Sequence, residues 1–93
     1  MTSSKSPPEQ TLFAAQVRAA RALLGWSQDD LARNLNIGRS TIADLETGKR
    51  QPQEATVYVL LSELVRAGVT FTPMGVELRE FPPPPFKATP RLR

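Results

Sequence analysis

Ninety-three residues fit one domain of less than average size with tails, and 40% apolar with 23% charged residues are ordinary globular proportions. The absence of cysteine and histidine excludes disulfide frameworks, thiolate zinc sites, cysteine nucleophiles and imidazole-based catalysis. The net charge is +3, but from Gln10 to Glu80 eight basic residues face eight acidic ones, so total charge cannot by itself argue for a nucleic-acid partner.

The opening MTSSKSPPEQ lacks the layout of a secretory signal, and residues 1–7 read as a flexible arm. A first helix is predicted from Pro8 to Leu24. Ser6 and Glu9 have capping-box spacing, Leu12, Phe13, Gln16, Val17, Ala20 and Leu24 recur at helical intervals, and Gly25 supplies the stop. Trp26, next in line, reads as core. Ser27 with Asp30 three residues later marks a second start. That helix is short, Gln28 to Leu35, with Leu31, Ala32 and Leu35 inward, and Asn36-Ile37-Gly38 breaks it with Gly38 as the stop. A third helix, Arg39 to Thr47, ends at Gly48. A fourth begins after Pro52, carries Val57, Leu60, Leu61 and Leu64 on one face, and stops at Gly68. Its run Val57 to Leu61 is the longest apolar stretch, five residues, far short of a membrane span.

Beyond Gly68 the period changes to two. VTFTPMGVEL alternates around Thr72-Pro73-Met74-Gly75, with Pro second and Gly fourth as a type I turn prefers. Closing that turn sets Phe71 opposite Val76 and Val69 opposite Leu78. The segment from Phe81 to Arg93, FPPPPFKATPRLR, can continue neither ladder nor helix. It reads as an extended tail outside the core, able to engage a protein partner. The expected class is mainly α: a compact four-helix domain over residues 8–68, a β segment over 69–80 and a proline-rich tail over 81–93.

The second and third helices are joined by a turn of about three residues around Gly38, the spacing of a helix-turn-helix. At about 100° per residue, Ile42 and Leu45 point inward. Arg39, Ser40, Ala43, Asp44 and Thr47 form the opposite stripe, short-chained apart from Arg39. Lys49 and Arg50 follow at the helix end, placed for flanking phosphates.

The run RAARALLGWSQDDLARNLNIGRSTIADLETGKRQP resembles the phage-repressor-like helix-turn-helix domains, the lambda repressor and Cro superfamily, also called the XRE family. Arg21 before Leu24-Gly25, Ser27-Gln28 before Leu31-Ala32, Ser40-Thr41-Ile42 and Leu45-Glu46-Thr47-Gly48-Lys49 carry the likeness, which spans about Leu12 to Gly68. The resemblance implies that Gln28 clamps a DNA phosphate and that Arg39, Ser40 and Asp44 stand at base-reading positions. It also implies that Thr41, Thr47, Lys49 and Arg50 contact the DNA backbone, and that Arg21 and Glu46 form an ion pair. Many relatives have a fifth helix at the dimer contact; here a strand segment stands in its place.

These readings converge on a cytoplasmic, sequence-specific double-stranded DNA-binding regulator of transcription. It is expected to be a homodimeric repressor or autoregulator on a near-palindromic operator, with no catalytic activity, cofactor or metal. A domain this small is marginal alone, and Val69, Phe71, Val76 and Leu78 offer an apolar β face. Tyr58 and Val65 add a strip on the fourth helix. Together these six residues are the expected dimer interface, so removing everything after Gly68 should leave a folded helical monomer. Two other readings share the fold: an antitoxin whose tail from Phe81 engages a toxin, and an adaptor that does not bind DNA.

Overall fold

Helical spacing and four breaks divide the chain into α1 (Glu9–Leu24), α2 (Gln28–Leu35), α3 (Arg39–Glu46) and α4 (Glu54–Ala67), followed by β1 (Val69–Phe71) and β2 (Val76–Leu78). The computed structural model describes residues 9–49 and 51–85, with side chains from residue 12 onward. The expected Ser6 cap, Arg50 and residues 86–93 lie outside the described residues.

Local chemistry explains the helix ends. At α2 the Ser27 hydroxyl accepts from the Asp30 amide at 3.0 Å and the Asp30 carboxylate accepts from the Ser27 amide at 2.9 Å. This reciprocal cap is worth about 1 kcal/mol. The α2 stop differs from expectation. Asn36, not Gly38, takes the left-handed conformation at φ 60, a region that asparagine tolerates better than most residues with a Cβ. Gly38 instead opens α3 in extended backbone at φ −76. Thr47 caps α3, one residue short of the expected end.

The core draws Val17, Ala20 and Leu24 from α1, Leu31 and Ala32 from α2, Ile42 and Leu45 from α3, and Leu60 and Leu64 from α4, together with Trp26. Val57 and Leu61 are only half-buried. The two strands pair antiparallel within the chain, Val69 with Leu78 and Phe71 with Val76. The Thr72 amide donates to the Gly75 carbonyl at 2.9 Å. The Gln16 side-chain amide of α1 donates to the Thr72 carbonyl at 2.8 Å and to Gly75 at 3.1 Å, pinning the hairpin tip to α1. Arg79, just past β2, caps α4. Its guanidinium donates to the carbonyls of Val65 and Val69, and its amide donates to Gly68 at 2.8 Å.

The β layer is seated on its own chain. Val69 is fully buried, and Phe71, Val76 and Leu78 pack against the same chain's core, with β2 on α1 and β1 on α4. The apolar face expected at the dimer contact thus also packs on the chain's own helices, Val69 completely and Phe71, Val76 and Leu78 in part. The hairpin is too short to stand alone, and α1 with α4 leaves a trough beside it that the face fills. The described start of the proline run is largely exposed and stays outside the core. Pro84 and Pro85 line a cleft of about 190 Å³ with Trp26, Asn34, Glu63, Arg66 and Ala67. A Cβ placed on Gly68 would lie 3.7 Å from the Pro84 ring.

One buried charge organises the helices. Glu46, at the end of α3, is 1% exposed. Its carboxylate accepts from Arg21 Nε at 2.8 Å and Nη2 at 2.9 Å, and from Gln28 Nε2 at 3.1 Å. Arg21 also donates to the Trp26 carbonyl at 2.9 Å, and Arg18 donates to the Glu46 backbone carbonyl. The hydrogen bond to Glu46 raises the Arg21 pKa above its ordinary value, burial opposes that shift, and the Glu46 charge adds to it. A forked guanidinium–carboxylate pair is the strong form of ion pair. Here it joins α1, the start of α2 and the end of α3.

Two outcomes follow from this packing. Arg21→Ala strands a buried carboxylate and should cost about 3–5 kcal/mol. Glu46→Ala should cost less, because Arg21 is already 21% exposed and its guanidinium can turn to water. The double variant should lose less than the two singles added; additive losses in denaturant melts would refute the coupling. Deleting residues after Gly68 removes the fully buried Val69 and the partly buried Phe71, Val76 and Leu78. At roughly 1.5–3 kcal/mol for one fully buried side chain and less for each partly buried one, that loss takes a large share of a typical domain's stability of about 5–15 kcal/mol. The truncated chain should show no cooperative thermal transition by circular dichroism, whereas a sharp transition would mean that the helices hold alone.

Candidate nucleic-acid interface

The break at Asn36–Gly38 turns the chain so that α3 packs across α2, with Ile42, Leu45 and Glu46 held inward. Helical geometry then fixes what faces out. Arg39, Ser40 and Thr47 are exposed, and Thr41, Ala43 and Asp44 are half-buried. Lys49, one residue past Gly48, is exposed as well. Among the described residues, no hydrogen bond or ion pair occupies the side chains of Arg39, Ser40 or Lys49.

A concavity of about 300 Å³ lies between α2 and α3, lined by Gln28, Arg39, Ser40 and Ala43. Two walls are donors, the Gln28 amide and the Arg39 guanidinium, and the floor is small. The start of α2 adds the positive end of a helix dipole. Gln28 is fixed in orientation. Because the Glu46 carboxylate only accepts, the amide must turn its nitrogen toward it. One N–H is then spent, leaving the second N–H and the carbonyl oxygen for the concavity. The hollow is thus equipped to meet an acceptor such as a phosphate or a base edge.

The other candidate residues are placed differently. The Thr47 hydroxyl donates to the Asp44 carbonyl at 3.0 Å and its amide donates to Ala43 at 3.2 Å. Both its donors therefore end on α3 in this structure, where Thr47 acts as a cap. Thr41 lies off the Arg39 stripe, in a cleft of about 480 Å³ with Leu45, Gln51, Pro52, Gln53 and Thr56. Tyr58 and Val65 are exposed on α4, at 73% and 42%, away from the α2–α3 concavity. The hydrogen bond from Arg18 to the last α3 residue was not anticipated. Its only sequence signal is the three-residue spacing to Arg21, which puts both arginines on one face of α1. No group of metal-binding side chains occurs among the described residues, and none of their helices is long and apolar enough to cross a membrane.

Comparison with known proteins gives this geometry a family. Residues 17–64, just over half of the chain, match the helix-turn-helix family model HTH_3. A search of curated proteins found no match. Among solved structures, the chain is similar to the restriction-modification controller protein C.AhdI from Aeromonas hydrophila, with 26% identity, a TM-score of 0.58, and coverage of 61% of this chain and 86% of that one. The matched span runs from the middle of α1 to Leu64 of α4 and contains α2, α3 and the Arg21–Glu46 pair. The chain belongs to the phage-repressor-like helix-turn-helix family of DNA-binding domains.

Proposed function

We propose that this chain is a sequence-specific regulator of transcription that inserts α3 into the major groove of double-stranded DNA, acting as a homodimeric repressor or autoregulator. The observation that carries the reading is the outward stripe of α3. Its long donor, Arg39, has no partner within the described residues, its neighbours Ser40 and Ala43 are small, and Ile42, Leu45 and Glu46 behind it are locked inward. The likeness to a restriction-modification controller protein supports a regulatory role. Gln28 and Lys49 would hold phosphates, with Thr41 at the flank, while Arg39, Ser40 and Asp44 face base edges. Phosphate contacts position such a domain, and base contacts specify the sequence.

Two copies would meet through α4. Tyr58 and Val65, seven residues apart on one face, leave an apolar strip there that the described residues do not cover. A two-fold axis through this strip would place two α3 helices on one face of DNA. Half-sites one turn apart, about 34–36 Å, would make the operator near-palindromic.

Titration of labelled duplexes at several salt concentrations tests the binding reading. Lys49→Ala should weaken operator and random DNA alike and lower the salt slope by about one. A slope unchanged by the substitution would remove Lys49 from the phosphate contacts. Tyr58→Glu tests the pairing. Because Tyr58 is exposed, the fold should persist, while sedimentation should give a monomer that binds a half-site weakly. A variant that remains a dimer with unchanged operator affinity would place the interface elsewhere.

A further inference from the structure

Two hollows line up along one side of α4. Ala67, Glu63, Val59 and Ala55 recur every four residues, so they form one row down the helix. Ala67 and Glu63 border the cleft that Pro84 and Pro85 share. Val59 and Ala55 border a second hollow of about 160 Å³, completed by Leu35, Ile37 and Thr56. A cavity of about 150 Å³ can hold a benzene-sized group. Val59 is 44% exposed, and Leu35 and Ile37 are half-buried, so the described residues leave this apolar wall open. The strip of Tyr58 and Val65 lies about 100° or more away around α4, and both sides can be occupied at once.

The chain enters this groove at one end and heads along it. Arg79 holds the carbonyls of Val65 and Val69, and Pro84 lies beside Gly68. Pro84 and Pro85 then face the cleft that reaches back to Glu63. From Ala67 to Ala55 the row covers about 18 Å at about 1.5 Å per residue. Eight residues, FKATPRLR, follow Pro85, and at about 3.1 Å per extended residue they span about 25 Å. Laid along the row, Leu92 is the aliphatic side chain that reaches the hollow. Lys87 would come level with Glu63, and Arg91 with the exposed Glu54. The segment carries three cations and no acid, so its charge complements that of the row.

We propose that the groove between α2 and α4 is the docking site of this chain's own residues 86–93, with Leu92 seated in the hollow of Leu35, Ile37 and Val59. Leu35 and Ile37 flank the left-handed Asn36, so the docked segment braces the turn between the motif's two helices. The proposal is independent of any DNA contact. The test uses the whole 93-residue chain, which has no cysteine of its own. Ala55→Cys, at an exposed position, combined with Arg93→Cys should close a disulfide within one chain under mild oxidation in dilute solution. Adding Leu92→Asp should slow that closure by about tenfold or more, the weight of one buried leucine side chain. In the otherwise unaltered chain, Leu92→Asp should speed hydrogen exchange of the Ile37 amide, which donates to the Ala32 carbonyl at 3.0 Å. Closure at a rate indifferent to Leu92→Asp overturns the docking, as does a disulfide that forms only between two chains. Unchanged exchange at Ile37 overturns the bracing of the turn.

Discussion

A carboxylate shut away from water must find its donors inside the protein, and Glu46 finds them on two other segments. Arg21 reaches it from α1 through two nitrogens, and Gln28 reaches it from the first turn of α2. Each partner is itself a structural joint: Arg21 also holds the Trp26 carbonyl, fixing the passage from α1 to α2. The angle between the motif's two helices is therefore set by a polar network as well as by Ile42, Leu45 and Leu31. A purely apolar contact of the same size could slide. Directional, charge-assisted hydrogen bonds hold one geometry.

The same network separates two duties on one eight-residue helix. Ile42, Leu45 and Glu46 spend their side chains on the fold, while Arg39 and Ser40 spend theirs on neither the core nor the network. Gln28 stands at the boundary. One of its amide protons belongs to Glu46, and its side chain also lines the hollow beside Arg39. A change at Gln28 would therefore act on both sides at once.

Much of this was legible in the sequence because it follows from spacing. The period of Val17, Ala20 and Leu24, the Ser27–Asp30 pair, and the alternation around Thr72–Gly75 are local signals. They gave the helices, a cap and the strand register. What covers an apolar face is not a local property. The pattern of Val69, Phe71, Val76 and Leu78 announced a buried surface without naming its cover, and within the chain α1 and α4 lie against it. Long polar reaches were equally silent. Nothing in the neighbourhood of Gln16 points to carbonyls 56 and 59 residues away, and nothing beside Arg79 points to the end of α4. At the α2 stop a glycine drew attention from the asparagine that takes the left-handed turn. For the candidate site, helical-wheel geometry placed the outward stripe, while the commitment of Thr47's donors depended on atomic positions.

The tie between Gln16 and the hairpin has a consequence for biosynthesis. The first helix made is fastened to a turn near the far end of the domain, and the last core side chain, Leu78, follows that turn. Such pairing carries a large loop-closure cost that only the finished contacts offset. While the chain is being elongated, α1 to α4 can form only with an open trough where the hairpin will lie. Completion of the core waits until β2 has been made and can reach α1. The domain thus closes as a unit only once β2 is available, and a chain cut shortly before Val76 would be a protein that proteases recognise as unfinished.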